Sequence, residues 1–479
     1  MAFGIGVVCE HSINNTPNIK MKKRLFISKV FGLLILSHLG FNANAQEVKK
    51  DSVITKIPFE NYDLTWINGQ NRQSDFPLTL KDKSGQTILT GVALVDGYFN
   101  YNFARPKDNT QTISASMGRT NEFSLNQASI GIESNYKNVI GRLWLQTGSM
   151  LHIVQETDGS VTRGRNTGTG DLKLIREAAA GYHFDVNYGL NVEMGIFMSY
   201  IGLESYVLQE NWSYQRSMVC DFTPFYFQGA RLQYFPTKNF KTELWVLNGW
   251  QTYNSWSKNP GLGSSNYYRP NDNIQLAANF YYGTDSKSGT STLSKIKRFH
   301  HDNSIVYRYY KNKMAKGLSQ AAFSLNNHYG FQSGDGVKAK NNYMTGSALS
   351  SRLWFAQNKI GWTVRGDYVT NPESYLAFNP SATVSDNTGN VIPNDYDNAL
   401  AAGNSLRITQ LTSTLDYMPN DFMTFRLEYG FRKSNVPYFA GPGGTTSQTG
   451  FNNDAIDPTW KPDLRKQENR ITLAVNFRL

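Results

Sequence analysis

The most restrictive feature of this sequence is an alternation of apolar and polar residues that extends to the carboxyl terminus. In the last ten residues, 470–479, every odd-numbered position is apolar and the even-numbered positions are polar or small. The segment 425–432 alternates aromatic and aliphatic residues with Arg426, Glu428, a glycine and Arg432. This period of two predicts β-strands. Charges at every second position require water on one face of a strand, so the opposite face can contact lipid.

Short and long connections alternate between the predicted strands. Three of the short ones follow a Tyr-x-Pro sequence ending at Pro236, Pro270 or Pro419, and proline favours tight turns because its φ angle is fixed. This alternation is typical of transmembrane barrels, which have short periplasmic turns and long external loops. The predicted turns are 134–138, 185–189, 236–239, 270–272, 311–317, 356–359 and 418–421. The most prominent predicted loops are 155–171, 201–223, 371–403 and 434–468.

These patterns predict an all-β fold, a transmembrane antiparallel up-and-down β-barrel that occupies 89–479 as one domain. We expect about 16 strands, with 14 and 18 left open, because bacterial single-chain barrels have an even number. The segments with the weakest strand pattern are 262–269 and 305–310. A barrel of this kind needs every strand, since closing the sheet removes its edges.

The first 45 residues predict export. A basic cluster begins at Met21, an apolar run follows at 25–36, and the small residues 43–45 form a cleavage site. We therefore interpret 21–45 as a signal peptide cleaved after Ala45. The preceding segment 1–20 lacks a targeting pattern, and we interpret it as an upstream extension. The polar segment 46–88 is expected to lie in the periplasm or to fold into the lumen.

The composition excludes several other classes of protein. The mean hydropathy is −0.46, and beyond the leader no stretch of eighteen apolar residues predicts a membrane helix. The leader carries five of the 48 basic and one of the 37 acidic residues, which leaves a net charge of +7 and no argument for nucleic-acid binding. Cys220 is the one cysteine after the leader, so no internal disulfide framework is expected. We expect no metal site and no cofactor.

Several segments of the chain share one order and spacing with a known family. They include Trp-Ile-Asn-Gly-Gln-Asn-Arg at 66–72 and Asn-Trp-Ser-Tyr-Gln-Arg-Ser at 211–217. The others are 95–103, 175–178, 195–197, 201–205, 224–226 and 248–251. Together they resemble the OmpL-like β-barrel porin family (putative β-barrel porin-2) of Bacteroidetes-type outer membranes. The resemblance implies a porin-like barrel in the outer membrane; it implies no defined substrate.

The third long loop contains the first candidate site. It carries Glu204, Asn211 and Arg216, together with Trp212 and Tyr214. If this loop folds into the barrel, an acid and a base facing each other across the lumen would select solutes by charge and size. The alternative is structural: the aromatic residues pack the loop against the wall, and Glu204 and Arg216 only pair with each other.

Charged residues in the predicted strands form the second candidate site. Basic side chains in a lumen favour anions, but acids occur in the same strands, so a mixed-charge lining of cross-strand pairs is the alternative. The lumen-facing candidates are Arg142, Arg176, Arg231, Arg365, Arg426 and Glu428, and further bases are Arg352, Arg407 and Arg432.

Two other groups of residues receive structural interpretations. We predict that the tandem histidines His300 and His301 lie in a solvated loop. We predict that aromatic residues near strand ends form an interfacial girdle, where an apolar ring can keep its hydroxyl hydrated. That group consists of Tyr98, Phe99, Tyr101, Phe103, Tyr281, Tyr282, Tyr307, Tyr309 and Tyr310.

The function that these features favour is passive diffusion of small hydrophilic solutes through an outer-membrane porin. An outer-membrane hydrolase is the first alternative, although the chain has no recognisable catalytic motif. A non-conducting barrel for adhesion or surface assembly is the second. Expected partners are outer-membrane lipid, the transported solutes, the barrel-assembly machinery and further copies of the chain.

Overall fold

The structure is a computed structural model whose described part begins at residue 76. The predicted upstream extension 1–20, the signal peptide 21–45 and most of the segment 46–88 lie outside the described residues. The described residues are 76–479 without 113, 161–163, 166–167, 256, 285–294, 313, 377–379, 381–384, 386–391, 393, 453 and 458.

The described part of the chain is mostly β-structure. Two short α-helices lie in loops: α1 at Ser149–Glu156 and α2 at Asp395–Ala401. No helix among the described residues is long and apolar enough to cross a membrane. The strands are β1 (Thr79–Lys81), β2 (Thr87–Asn102), β3 (Phe123–Tyr136), β4 (Val139–Thr147), β5 (Ile175–Phe184), β6 (Leu190–Met198), β7 (Tyr226–Thr237), β8 (Phe240–Leu247), β9 (Gly261–Asn271), β10 (Ile274–Thr284), β11 (Lys297–Lys311), β12 (Leu318–Ser333), β13 (Tyr343–Phe355), β14 (Ile360–Asn371), β15 (Leu406–Asn420), β16 (Met423–Ser434), β17 (Phe439–Ala440), β18 (Leu464–Arg465) and β19 (Gln467–Arg478).

Sixteen of these described strands close into an antiparallel barrel. Strands β2 to β16 pair in chain order, β16 pairs with β19, and β19 pairs with β2 to complete the ring. The closing register places Ile471 beside Tyr101 and Arg478 beside Leu94. The predicted fold class and strand number are thus confirmed. Each predicted short turn lies at a junction between two consecutive barrel strands.

Strand β1 lies at the short-turn end of the barrel. The amide of Ala93 bonds to the carbonyl of Leu479, where β19 ends, and the amide of Gly91 bonds to the carbonyl of Leu78. The short strand therefore continues along the edge of β2 that β19 leaves free. This hairpin is the described end of the segment 46–88.

The two faces of the wall differ as the alternation predicts. On β19 the side chains of Ile471, Leu473 and Val475 point outward and are exposed, whereas Thr472 and Asn476 are buried inside. The outward residues provide the apolar surface that a bilayer requires, and the inward residues form a polar lining.

Strand β11 differs most from its prediction. It begins at Lys297 rather than near residue 305, so His300 and His301 lie in the wall and the predicted solvated loop is wrong. Arg298, His300 and Asp302 face inward, while His301 and Asn303 face outward. The strand pattern was hidden because both faces are polar at this end of the strand.

Candidate functional site: loop 3 inside the barrel

Loop 3, defined as residues 199–225 between β6 and β7, lies in the lumen. Every residue from 206 to 225 is buried. A loop this polar is buried only when the barrel wall surrounds it and its backbone groups find hydrogen-bond partners there. The partners of loop 3 come from strands far away in the sequence.

Strand β16 holds the middle of loop 3 with two side chains. Arg426 donates from Nη1 to the carbonyl of Leu208 at 2.9 Å and from Nη2 to the carbonyl of Asn211 at 2.7 Å. Glu428 accepts from the amides of Tyr214, at 2.7 Å, and Gln215, at 3.1 Å. Arg426 thus bonds to backbone carbonyls of the loop, and Glu428, on the same face of the strand, bonds to backbone amides.

Strands β13 and β14 continue this pattern. Arg352 donates from Nη1 to the carbonyl of Trp212 at 3.0 Å. Arg365 donates to the carbonyl of Gln215 at 2.7 Å, and Asp367 accepts from the amide of Met218 at 3.1 Å. We call the set Arg352, Arg365, Asp367, Arg426 and Glu428 the clamp.

The charges of the clamp are compensated inside the wall. Asp416 on β15 lies 2.7 Å from Nη2 of Arg352 and 3.2 Å from Nε of Arg426. Arg365 lies 2.7 Å from Glu204 and 3.1 Å from Asp367. Because all of these wall side chains are buried, loss of one partner would leave another charge uncompensated.

The neighbouring wall and loop 1 (103–122) add further contacts. Tyr214 donates its hydroxyl to Asp96 at 2.9 Å, and Arg478 pairs with Glu210 at 2.6 Å. Ser116 of loop 1 donates its hydroxyl to Asp221 at 2.8 Å. Loop 3 is therefore fixed to the wall formed by β13–β16, β19 and β2.

Two of the predicted constriction residues shape the loop itself. Glu204 accepts from the amide and the hydroxyl of Ser217, both at 2.6 Å, in addition to its pair with Arg365. Asn211 donates to the carbonyl of Ser205 at 2.9 Å and accepts from its amide at 2.7 Å. These side chains are occupied by internal bonds.

Arg216 is different from the other two. Its guanidinium lies 4.6 Å from the ring of Phe225. Among the described residues, Nε and Nη1 of Arg216 have no hydrogen-bond partner, although the residue is only 2% exposed. Glu204 pairs with Arg365 rather than with Arg216. The predicted alternative, in which Glu204 and Arg216 pair with each other, is therefore wrong.

Space remains on both flanks of loop 3. The first cavity lies between the loop and strands β8–β10, where Arg216 and Glu204 face Lys241, Glu243 and Arg269. The second lies between the loop and strands β11–β13 and is lined by residues such as Asn326 and Ser350. The loop thus narrows the lumen. Tyr200, near its start, donates its hydroxyl to the carbonyl of Phe280 on β10, and the first cavity lies beside this contact.

The predicted lumen-facing residues on β4–β8 point inward and pair with acids of neighbouring strands. Arg142 lies 2.6 Å from Glu193, and Glu193 also bonds to Arg231. Farther along, Lys241 lies 3.0 Å from Glu243. This wall has the mixed-charge lining that was the alternative to a purely basic one.

Two predicted bases behave differently from these pairs. Arg176 is buried and its guanidinium stacks 3.8 Å from the ring of Trp144. Arg407 is exposed on the outer face of β15, because Leu406 and Ile408 occupy the inward positions on either side. The interpretation of Arg407 as a lumen residue is therefore wrong.

The aromatic prediction also needs a correction. Tyr98 and Tyr281 are 3% and 1% exposed and face the lumen, so they are not girdle residues. The hydroxyl of Tyr98 bonds to the carbonyl of Arg119 in loop 1, and Tyr281 packs 4.9 Å from Trp250. The more exposed members of the predicted group, including Tyr101, Phe103, Tyr282, Tyr309 and Tyr310, point outward.

A buried histidine pair that the sequence pattern did not predict lies beside loop 3. Nε2 of His300 lies 3.0 Å from Nδ1 of His328, and Nδ1 of His300 lies 2.9 Å from the hydroxyl of Tyr375. Cys220 of loop 3 lies 3.8 Å from His328. In the part of the chain that the structure describes, no group of three His, Cys, Asp or Glu side chains is placed to hold a metal ion.

Loops 1 and 8 (435–466) are joined by one carboxylate. Asp108 accepts from the amide and the hydroxyl of Thr446, both at 3.0 Å, and from the amide of Thr445 at 2.5 Å. Burial alone would raise the pKa of Asp108, but these hydrogen bonds and one from Thr110 lower it below its usual value.

Comparison with known proteins places the chain in a family. Residues 89–457 match the family described as "Putative beta-barrel porin-2, OmpL-like". The outer-membrane channel DcaP of Acinetobacter baumannii is 10% identical, with 84% of this chain and 99% of that chain covered and a TM-score of 0.47. An anion-selective porin from Comamonas acidovorans is 9% identical over 82% of this chain and 99% of that chain, with a TM-score of 0.46.

A third solved structure, OmpF of Salmonella typhi in complex with daunomycin, is 10% identical over 82% of this chain and 97% of that chain, with a TM-score of 0.42. No curated protein matches the sequence. The family match spans more than half of the chain and includes every barrel strand from β3 to β16. The chain therefore belongs to the OmpL-like putative beta-barrel porin-2 family, and it is an outer-membrane porin.

Proposed function

We propose that this porin is a passive diffusion channel for small hydrophilic solutes, and that solutes pass between loop 3 and the wall of β8–β10. The attachment of the middle of loop 3 to β13–β16 carries the proposal. The clamp draws the loop toward β13–β16, and the larger cavity lies on the other flank. Solutes would then meet a lining of paired charges together with a base for which the described residues provide no carboxylate partner.

That base is Arg216. No carboxylate of the described chain lies within ion-pair distance of its guanidinium, whereas Lys241 and Glu243 across the cavity compensate each other. A positive charge at a narrow point attracts anions and repels cations. We propose that Arg216 gives the channel a modest preference for anions, and that Glu204 and Asn211 act by keeping the loop in shape.

Planar-bilayer recordings test both parts of this proposal. The refolded protein should conduct, and Arg216→Gln should shift the reversal potential in a salt gradient toward cation preference. The expected change in the permeability ratio is about fivefold, from roughly 1 kcal/mol for a unit charge at 4 Å in water. Arg407→Gln is the matched control, because it removes an arginine from the outer face.

Each negative result has a defined meaning. Absence of conductance in the wild-type protein would reject the channel and favour the non-conducting barrel. Conductance with equal shifts in Arg216→Gln and Arg407→Gln would reject the role of Arg216 and leave the channel in place.

We also propose that the protein is not an enzyme. The outer-membrane hydrolase that is the alternative would use a serine activated by a histidine. The buried histidines His300 and His328 bond to each other and, among the described residues, to Tyr375, Asn326 and Cys220. Incubation with phospholipid and ester substrates should give no hydrolysis above that of a His300→Gln variant, and a loss of activity in that variant would contradict the proposal.

The export interpretation is likewise a proposal. Cleavage after Ala45 would give a mature protein that begins at Gln46, which intact-mass measurement of the outer-membrane form can check. The hairpin of β1 at the short-turn end favours a periplasmic position for 46–88. The terminal strand β19, with Phe477 and Leu479, is the expected signal for the barrel-assembly machinery.

A further inference from the structure

The first cavity beside loop 3 contains a buried base whose charge needs compensation. Arg216 is 2% exposed, and among the described residues its Nε and Nη1 have no hydrogen-bond acceptor. Its guanidinium packs 4.6 Å from the ring of Phe225, and both residues line the cavity. A buried cation is strongly disfavoured unless an opposite charge and hydrogen-bond acceptors compensate it. An anionic ligand in the cavity would supply both.

The other ionised side chains around this cavity already have partners. Lys241 lies 3.0 Å from Glu243. Arg269 donates to the side-chain oxygen of Gln275 from Nε at 2.9 Å and from Nη2 at 2.6 Å. Glu204 pairs with an arginine of β14. The lining has three bases and two acids, which leaves an excess of one positive charge. It therefore matches a ligand with one negative charge.

The rest of the lining includes aromatic rings whose polar atoms bond to the protein. Tyr200 donates its hydroxyl to a backbone carbonyl of β10 at 2.9 Å, and Tyr206 donates to Gln146 at 2.9 Å. Trp245 donates its Nε1 to Glu243 at 3.0 Å and stacks on Tyr200 with ring centroids 4.9 Å apart. Rings bonded in this way leave apolar faces, which favour an apolar part of a ligand.

The size of the cavity limits the ligand further. The cavity volume is about 60 Å³. A cavity of about 150 Å³ holds a benzene molecule, and about 10–15 Å³ is enough for one water molecule. The occupant is therefore larger than a single water and smaller than an aromatic ring. A carboxylate with a short hydrocarbon chain meets the limits of charge, polarity and size together.

We infer that the first cavity is a binding site for short-chain monocarboxylates. The carboxylate accepts charge-assisted hydrogen bonds from the guanidinium of Arg216. The hydrocarbon chain lies against the rings of Tyr206, Phe225 and Trp245, which a bare halide ion would leave uncovered. This inference rests on the proposed function, because it assigns a substrate class to the same passage between loop 3 and β8–β10.

Saturation-transfer NMR of the folded barrel in detergent tests the site, with propionate as the probe. The wild-type protein should bind propionate saturably. Arg216→Gln should weaken this binding about tenfold, the factor that about 1.4 kcal/mol represents. Arg216→Lys keeps the charge and should retain more binding than Arg216→Gln. Arg407→Gln, on the outer face of β15, is the matched control and should bind as the wild type does. Heat-modifiable gel mobility reports whether each barrel is folded.

Competing solutes test the three limits on the ligand. Propionamide has the shape of propionate without its charge, chloride has the charge without the hydrocarbon chain, and benzoate has both but is larger. None of the three should displace propionate at an equal concentration. Displacement by any of them would overturn the assignment to short-chain monocarboxylates, and displacement by chloride would show a simple anion site.

The opposing results for the protein are equally defined. A folded wild-type barrel without saturable propionate binding, or a folded Arg216→Gln variant that binds propionate as tightly, would overturn the inference. Binding in detergent does not depend on conduction, so the two proposals can fail separately. A barrel that binds propionate through Arg216 but does not conduct supports the site and rejects the channel. A barrel that conducts but does not bind propionate rejects the site and keeps the channel.

Discussion

The two walls that flank loop 3 contain similar residues and use them in opposite ways. On β13–β16, Arg352, Arg426 and Glu428 bond to the backbone of the loop. On β8–β10, Lys241 pairs with Glu243, and the other polar side chains also bond mainly within the wall. The difference teaches that charge composition alone does not define a pore lining. What matters is whether a loop backbone lies within reach of the charges.

The wall that carries the clamp is also the more sensitive of the two to substitution. A buried ion pair contributes little net stability, but removal of one partner leaves a charge and several backbone groups unsatisfied. Substitutions there should both destabilise loop 3 and widen the pore. Substitutions on the opposite wall should change selectivity without moving the loop.

The largest effect is expected for Arg426→Ala. It removes the side-chain donor from the carbonyls of Leu208 and Asn211 and one of the two arginines that compensate Asp416. The expected loss of stability is on the order of 3–5 kcal/mol, with increased single-channel conductance and noise. Arg470→Ala is the control, because it removes an equally buried arginine that, among the described residues, makes no hydrogen bond to loop 3. Equal conductance changes in both variants would show that the clamp does not position the loop.

A smaller effect is expected for Glu428→Ala. The amides of Tyr214 and Gln215 lose their acceptor, which costs about 1–3 kcal/mol for each buried unsatisfied group. Glu193→Ala removes an acid from the opposite side of the barrel, where its partners are Arg142 and Arg231. Conductance should rise in Glu428→Ala alone. If Glu193→Ala opens the pore as far, the contrast between the two walls is wrong.

The pair formed by Glu204 and Arg365 tests the connection between loop and wall. A double-mutant cycle with Glu204→Gln and Arg365→Gln should give a coupling free energy of roughly 0.5–3 kcal/mol, the range for residues in direct contact. The free energy of unfolding in denaturant supplies the values. Strictly additive effects would mean that this contact does not hold the loop.

The smallest effect concerns Asp108, which joins loops 1 and 8 outside the clamp. Because hydrogen bonds lower its pKa in the folded protein, its stabilising contribution is present above the unfolded pKa of about 3.9. It is lost as the pH falls through the lower folded value. Protease cleavage in loop 8 should therefore increase only below about pH 4, and Asp108→Asn should remove that dependence. Increased cleavage between pH 7 and pH 5 would contradict this assignment.

The barrel could be predicted from sequence because most strands are polar on one face and apolar on the other. Strands β16 and β19 show this alternation directly, and turns with proline mark several junctions. Strand β11 did not show it, since His300 faces inward while His301 and Asn303 face outward. A polar residue on a lipid-facing position breaks the pattern from which strands are recognised.

The clamp could not be predicted because its contacts join a side chain to a distant backbone. Arg426 and Leu208 are 218 residues apart, and a backbone carbonyl leaves no trace in the residue type. The polar segment 201–223 indicated a long loop with a candidate site, and Arg426 and Glu428 indicated a strand face in contact with water. Only the folded chain shows that these two features meet.

Chemical modification of single cysteines during conductance recording tests the central claim most directly. Ser265→Cys places a thiol in the cavity between loop 3 and β8–β10, and Thr412→Cys places one on β15 behind the clamp. A charged methanethiosulfonate reagent should reduce the current through Ser265→Cys and leave Thr412→Cys unchanged. Block of Thr412→Cys with no effect on Ser265→Cys would place the path on the clamped side and contradict the account.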